Sequence, residues 1–193
     1  MALEKLNRNN AADAGFSLVE VLVATVILAT GVLSMAQMFG IATKSNMAGR
    51  SNTYATVLAE QKLEQLRALS WGFDTQNLPI SDLSTDTTVV PENPAGGTGL
   101  RPSPPTSLQE NTKGWVDHLD ATGTIVGNDV VPPQGAVYTR RWTVEPLPTN
   151  PNNTLIIQVL ATRHRARGAA DQGKVQRLPD EARVVTVKTR KSS

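Results

Sequence analysis

The feature that most constrains this chain is a long apolar stretch near its N-terminus. From Phe16 to Ala42 the only charged side chain is Glu20, and no proline lies between Phe16 and Leu78. A helix over this stretch would be about 40 Å long, which exceeds the roughly 30 Å hydrocarbon core of a bilayer. Because apolar side chains surround such a helix, we expect a membrane span or the core of an assembly rather than a soluble amphipathic helix.

Three simpler interpretations of this stretch compete. A secretory signal peptide has an apolar region of about 7 to 15 residues, which is much shorter. The helix of a soluble core is disfavoured by the same length. An ordinary signal anchor accounts for the apolar residues but not for Glu20, because an acid in a membrane helix costs about 2.5 to 3.5 kcal/mol at a central position and less near an interface. Such an acid usually needs a partner.

The residues before Glu20 form a motif. A polar leader, residues 1–15, ends in Gly15, which is followed by Phe16 and, four residues further on, by Glu20. This pattern resembles the processing site of type IV prepilins. The resemblance implies cleavage between Gly15 and Phe16 by prepilin peptidase, a membrane aspartyl protease, and N-methylation of Phe16.

The chemistry of this motif can be argued independently. Glycine at a scissile bond lets a protease approach the backbone closely, since Gly15 has no side chain to collide. Cleavage would leave a cationic amine on Phe16, which Glu20 of a neighbouring subunit could neutralise; either charge buried alone would be strongly unfavourable. We therefore expect subunit assembly to depend on Phe16 and Glu20, whose pairing would set the axial stagger between subunits.

The pattern changes after the apolar stretch. Apolar residues then recur at spacings of three to four, namely at Ala55, Leu58, Ala59, Leu63, Leu66 and Leu69. The charged residues Glu60, Lys62, Glu64 and Arg67 are assigned mainly to the opposite side. This periodicity predicts one helix over residues 16–69. Residues 16–43 would form its membrane or filament-core half, and residues 44–70 an amphipathic half that packs against a head.

Three glycines interrupt the predicted helix. Gly31, Gly40 and Gly49 each weaken a helix interior by roughly 1 kcal/mol relative to alanine. Close helix packing in a bundle and local softening on leaving the bilayer explain them equally well. Major pilins often carry a proline in the apolar half, so its absence here favours a minor pilin or a pseudopilin.

The remaining residues, 71–193, predict a loop-rich head. Strands are expected at residues 136–145, 153–162 and 182–189, with 153–162 as a central strand and a further short strand at 124–126. Three or four antiparallel strands against the long helix make an α+β fold. Whether residues 85–110 are ordered stays open. The C-terminal strands resemble those of PilV-type minor pilins.

Composition and motifs argue against an enzyme. The chain has no cysteine, which excludes thiol catalysis, disulfides and cysteine zinc sites. Its two histidines, His118 and His164, form no metal motif. Asp117, Asp120 and Asp129 could supply calcium ligands, but they miss the EF-hand spacing and a solvated loop is favoured. No Gly-x-Ser-x-Gly motif places a nucleophile. We predict no catalytic, cofactor or metal site.

The charge of the chain is too balanced to indicate nucleic acid. Its 19 basic and 17 acidic residues give a net charge of +2. The cluster at residues 163–167, with three arginines and His164, could bind phosphate or DNA, although an exposed loop is favoured. Lys188, Arg190 and Lys191 are interpreted as a solvated strand end. Nucleic acid is not an expected partner.

Together these features predict a minor pilin of a type IV pilus. It would span the bacterial inner membrane once, with its head outside the cytoplasm, before entering the filament. Its partners would be prepilin peptidase, other pilin or pseudopilin subunits, the inner-membrane assembly platform and membrane lipid. A type II secretion pseudopilin is the alternative, followed by a membrane-tethered binding module or enzyme. The machine, a tip or shaft position and the ligand of the head stay open.

Overall fold

The computed structural model describes residues 15–163 and 181–191. A single helix, α1, spans Leu18–Ala68 and is 51 residues long, which confirms the prediction of one continuous helix to within two residues at its start. By internal contacts the chain divides into two compact units, with the boundary between Asn46 and Met47. Helix α1 thus begins in the first unit and ends in the second.

The first unit exposes its apolar side chains. Every described residue from Gly15 to Met47 is exposed, and Leu18, Phe39 and Ile41 have 81%, 75% and 69% of their surface accessible. The helix is long and apolar enough in this part to cross a membrane. A surface of this kind is unfavourable in water over such an area, so it requires lipid or other helices around it.

Seven strands follow the helix. Their bounds are β1 Trp71–Phe73, β2 Pro79–Ser81, β3 Val116–Leu119, β4 Ile125–Gly127, β5 Tyr138–Pro146, β6 Thr154–Arg163 and β7 Glu181–Thr189. Strands β1 and β2 form a two-stranded sheet, and the other five form an antiparallel sheet in the order β4-β3-β5-β6-β7. The helix and the antiparallel sheets give the predicted α+β arrangement.

The predicted strands are largely confirmed, and three strands are additional. Strands β5, β6 and β7 lie within two residues of the predicted segments, and β4 lies within one residue of the segment predicted at 124–126. The sequence reasoning missed β1, β2 and β3. The segment predicted as a central strand, residues 153–162, corresponds to β6, which is paired on both edges, with β5 and with β7. The sheet is wider than predicted because β3 pairs with β5 on its other edge.

The amphipathic half of α1 packs into the core of the head. All six apolar positions of the predicted stripe are buried, and they belong to one hydrophobic core with the sheet residues Trp142, Val144, Leu155, Ile157 and Val159. The assignment of Lys62 to the solvent side is wrong, because its side chain is fully buried among these residues. By contrast, Glu64 and Arg67 are exposed, as their spacing predicted, and they form an ion pair at 2.6 Å.

Strand β5 has buried side chains on both of its faces. Thr139 and Thr143 are buried although their parity is opposite to that of the core residues Trp142 and Val144. Ser103, in the chain before β3, lies at the edge of β5: its N–H donates to the Val144 carbonyl at 2.9 Å, and its Oγ accepts the Val144 N–H at 3.1 Å. The middle strand is therefore enclosed on both faces.

Candidate processing and assembly site

A serine caps the N-terminus of α1. Residues 15–17 are not helical, and Ser17 Oγ accepts the Glu20 N–H at 3.2 Å. The Ser17 carbonyl accepts the Glu20 N–H at 3.0 Å and the Val21 N–H at 3.2 Å. Ser17 is therefore an N-cap residue, whose side chain satisfies one of the unpaired N–H groups at the start of a helix.

The sequence reasoning missed this cap, although its signal is present. Serine followed three residues later by glutamate, as in Ser17 and Glu20, is the capping-box pattern. In a complete capping box the glutamate side chain also accepts the N–H of the cap residue; here only the serine half is formed. The cap therefore uses the Ser17 side chain and the Glu20 backbone N–H, and it gives a physical reason for the serine.

Glu20 presents an exposed carboxylate in the first turn of the helix. A negative charge there interacts favourably with the partial positive charge of the helix N-terminus. Within residues 15–163 and 181–191, the Glu20 carboxylate has no hydrogen bond or ion pair.

Gly15 lies in open surroundings. A Cβ added at this position would meet no atom within 4 Å, and the neighbouring Phe16 is 82% exposed. No packing within the described chain therefore requires glycine here. Access to the backbone remains as a physical reason for the absence of a side chain.

The hydroxyl groups in the apolar half of α1 are satisfied within the helix. Thr25 Oγ1 donates to the Leu22 carbonyl at 2.8 Å, and Ser34 Oγ donates to the Thr30 carbonyl at 2.8 Å. Thr30 and Thr43 bond back to the preceding turn in the same way. These bonds lower the cost of placing hydroxyl groups in lipid, where water is not available as a partner. The surface is thus suited to a membrane apart from Glu20 and the amide of Gln37.

A second polar cluster lies inside the head. Lys62 from α1, Asp117 from β3 and Arg140 from β5 are fully or almost fully buried. Asp117 accepts two hydrogen bonds from Arg140, Nε to Oδ1 and Nη2 to Oδ2, both at 2.8 Å. Lys62 Nζ lies 3.0 Å from Asp117 Oδ2 and 4.0 Å from the centre of the Trp142 ring. Two cations thus share one carboxylate.

Two further hydrogen bonds join the cluster to main-chain carbonyls. Arg140 Nη1 donates to the Leu58 carbonyl at 3.1 Å, and Lys62 Nζ donates to the Thr87 carbonyl. Burial lowers the pKa of Lys62 to about 8, although the charge of Asp117 opposes this shift. Burial by itself raises the pKa of Asp117, but Lys62 and Arg140 outweigh it and hold that pKa below its ordinary value. The cluster therefore ties α1, β3 and β5 together with Asp117 ionised.

The three aspartates considered as calcium ligands serve separate local roles. Asp117 belongs to the buried cluster, and Asp120 Oδ1 accepts the N–H groups of Thr122 and Thr124 in the β3–β4 turn. Asp129 forms an exposed ion pair with Lys113 at 3.3 Å. Among residues 15–163 and 181–191, no three His, Asp or Glu side chains are grouped to hold a metal ion.

His118 is a buried structural residue. Its Nδ1 lies 3.0 Å from Thr139 Oγ1, and its Nε2 lies 2.8 Å from the Asp129 carbonyl, which accepts a hydrogen bond from it. His164 and the basic residues that follow it lie outside the described residues, while Arg163 ends β6. The histidine that the structure describes therefore fastens the β4–β5 connection to the sheet.

The C-terminal basic residues are more than a solvated strand end. The Arg190 guanidinium stacks on the Trp71 ring at 3.6 Å and donates to the carbonyls of Gly72 at 3.0 Å and Ile80 at 2.8 Å. Lys188 Nζ donates to the Arg67 carbonyl at the end of α1. These side chains fasten the β1–β2 sheet and the helix end to the last strand. Arg190 also borders a mainly apolar groove of about 700 Å³.

Comparison with known proteins gives one match. The model of the prokaryotic N-terminal methylation motif matches residues 10–36, which include Gly15, Phe16, Ser17 and Glu20. This match supports a type IV pilin-like protein, of the pilin or pseudopilin family, whose members are structural subunits. Processing by prepilin peptidase and assembly with other subunits are implied by the motif, and the apolar helix is consistent with an inner-membrane anchor. No curated protein sequence and no solved structure matches the chain.

Proposed function

We propose that this protein is a minor pilin, a structural subunit of a type IV pilus. The observation that carries the proposal is the N-terminal site: Gly15 and Phe16 lie outside the helix in exposed chain, and Glu20 follows in the first turn of an exposed apolar helix. The motif match over residues 10–36 supports the pilin class. The absence of proline between Phe16 and Leu78 favours a minor subunit over a major one.

The mechanism has three steps. Prepilin peptidase would cleave between Gly15 and Phe16, removing the leader of residues 1–15, and the new amine of Phe16 would be methylated. The apolar helix of residues 16–43 would anchor the subunit in the bilayer until the assembly platform extracts it. In the filament, the Phe16 amine would pair with Glu20 of a neighbouring subunit. Each charge would then be neutralised as water is excluded from it.

This mechanism assigns a separate role to each segment of the chain. Residues 16–43 would pack with other subunits, residues 44–70 would hold the head, and residues 71–193 would form the exposed surface of the subunit. The Lys62, Asp117 and Arg140 cluster supports a structural head. Its charged groups are buried and occupied by one another and by main-chain carbonyls, so they offer no side chain to a substrate.

The test of the proposal is the mass and N-terminal sequence of the protein from its native host. We expect a chain that begins at Phe16 with one added methyl group. A Gly15→Val variant should keep the leader, because a branched side chain at the scissile bond obstructs the peptidase. Gly49→Ala serves as a control, since this glycine also has open surroundings but lies far along the helix. A mature chain that retains residues 1–15 would refute the proposal.

A second experiment separates the pilus from the secretion machine. The same absence of proline fits a type II secretion pseudopilin, so a deletion strain should be examined for surface filaments and for secreted proteins. We expect loss or thinning of surface pili with an unchanged set of secreted proteins. Normal pili together with a secretion defect would assign the subunit to a pseudopilus.

A further inference from the structure

We propose that Ser17 is a positioning residue for the peptidase reaction. By capping α1, it keeps the peptide bond between Gly15 and Phe16 in non-helical chain that a protease can bind. The inference rests on the proposed cleavage at that bond. The inference adds Ser17 to the residues that this cleavage depends on. Ser17 does not flank the cleaved bond, and it acts by setting where the helix begins.

The hydrogen bonds place the helix boundary just after the scissile bond. Helix α1 begins at Leu18, while residues 15–17 are exposed and not helical. The Ser17 carbonyl accepts the N–H groups of Glu20 and Val21, and Ser17 Oγ accepts the Glu20 N–H as well. The helical hydrogen bonds thus begin two residues after the carbonyl of Gly15, which the peptidase must attack.

A small shift of this boundary would enclose the scissile bond. In an α-helix each N–H bonds to the carbonyl four residues earlier. If α1 began one turn further upstream, the Val19 N–H would bond to the Gly15 carbonyl, and side chains of the adjoining turn would surround the bond. A protease needs both the carbonyl and the adjacent backbone, so the extended helix would have to unwind before cleavage.

The sequence upstream of the site makes such a shift accessible. Ala11, Ala12 and Ala14 are strong helix formers, and Asn10 and Asp13 are residue types that can cap a helix themselves. Gly15 opposes an extension, but a single glycine within a helix is tolerated. A cap at Ser17 adds the second signal that starts the helix at Leu18.

The test is a series of substitutions at residue 17 of the full-length chain in detergent micelles, cleaved by prepilin peptidase. Asparagine caps a helix as well as serine, glycine caps only slightly less well, and alanine and valine cap poorly. We expect kcat/KM to stay within about twofold for Ser17→Asn and Ser17→Gly, and to fall by up to about fivefold for Ser17→Ala and Ser17→Val. This expected order of kcat/KM differs from the order of side-chain size, and it does not depend on whether residue 17 carries a hydroxyl group. Ser17→Gly is the matched control for Ser17→Ala, because both remove the hydroxyl.

Amide exchange on the uncleaved chains reports the helix boundary directly. The Val19 N–H should exchange more slowly in Ser17→Ala than in the natural chain, because it gains the Gly15 carbonyl as acceptor, and it should be unchanged in Ser17→Gly. Equal cleavage of the alanine and natural chains would overturn the proposal, and so would a glycine variant as slow as the alanine variant. If the natural chain is not cleaved at all, the proposed function fails. In that case the exchange rate of the Val19 N–H still tests whether Ser17 sets the start of α1. Equal rates in Ser17→Ala and the natural chain would refute that role.

Discussion

At the scale of single residues, Glu20 carries the assembly hypothesis. The Glu20→Ala subunit should be cleaved and methylated normally, because Gly15 and Phe16 are unchanged, but it should enter filaments at less than about a tenth of the normal level. The reason is that a buried cation without its partner is disfavoured by about 3–5 kcal/mol. The measurement is the ratio of filament to membrane subunit, with Glu60→Ala as a control on the exposed side of the same helix. Normal incorporation of Glu20→Ala would refute the role.

The buried cluster predicts unequal effects for its members. Asp117→Asn leaves Lys62 and Arg140 as buried cations without a counter-charge, so we expect the free energy of unfolding to fall by about 3–5 kcal/mol. Lys62→Met removes the excess cation and leaves the two hydrogen bonds between Arg140 and Asp117 in place. Its cost should be at most about 2 kcal/mol, from the Thr87 carbonyl that loses its donor. Urea unfolding in micelles, followed by tryptophan fluorescence, measures both; equal losses would contradict the asymmetry.

Lys62 also predicts a dependence of stability on alkaline pH. The pKa of Lys62 is about 8 in the folded chain, whereas the ordinary pKa of lysine, which applies to the unfolded chain, is 10.5. Between these values the unfolded chain holds a proton that the folded chain has released, so the free energy of unfolding rises with pH, by on the order of 1 kcal/mol per pH unit. Below pH 8 both states are protonated and this contribution is constant. The difference in stability between the natural chain and Lys62→Met should therefore shift in favour of the natural chain above pH 8. A difference that stays flat from pH 7 to 10 would refute the buried, protonated lysine.

At the scale of elements, periodicity predicted the long features and missed the short ones. The helix and strands β5, β6 and β7 follow from runs of nine or more residues with one spacing. Strand β3 has only four residues, Val116–Leu119, and two of them are Asp117 and His118. These polar residues indicate a loop, yet they are buried because partners on other elements satisfy them. Such partners are distant along the chain, so no local pattern reveals them.

Lys62 shows the same limit on the helix. Its position is seven residues after Ala55 and four before Leu66, which places it on the buried stripe. The sequence nevertheless predicts an exposed Lys62, because a lysine is almost never fully buried unless it is paired. The processing site was easier to predict, since Gly15, Phe16 and Glu20 lie within six residues of one another. Its cap, Ser17, lies within the same motif, but a serine there has no part in the cleavage chemistry, and its role becomes visible only where the helix begins.

The same substitution should have opposite effects in a loop and in the helix of the head unit. A Cβ at Gly97 would lie 2.2 Å from the Asp86 Cα and 2.3 Å from the Thr85 carbonyl oxygen, so backbone would have to move. We expect Gly97→Ala to lower the free energy of unfolding by about 1–3 kcal/mol. A Cβ at Gly49, in α1, would meet nothing within 4 Å, and Gly49→Ala should raise it by roughly 1 kcal/mol. Thermal and urea unfolding measure both, and a neutral Gly97→Ala would contradict the close approach of these backbones.

At the scale of the whole molecule, the two halves of α1 differ in how far their side chains are buried. Up to Asn46 it contributes no buried residue to the described chain, whereas from Ser51 onward it supplies seven buried side chains to the head. The head unit, Met47–Ser193, holds its own core within itself. The apolar half should therefore be dispensable for folding of the head, and the amphipathic half should be indispensable.

Two truncated chains test this division. Residues 47–193 should give a monomeric protein in water without detergent, with a near-UV circular dichroism spectrum that reports the buried Trp142. Residues 70–193 should aggregate or remain unfolded, because removal of the helix exposes Trp142, Ile157 and Val159 to water and takes Lys62 from the buried cluster. Gel filtration and circular dichroism distinguish these states. A folded 70–193 chain would show that the sheet does not need the helix, and an aggregated 47–193 chain would show that the head depends on the apolar half.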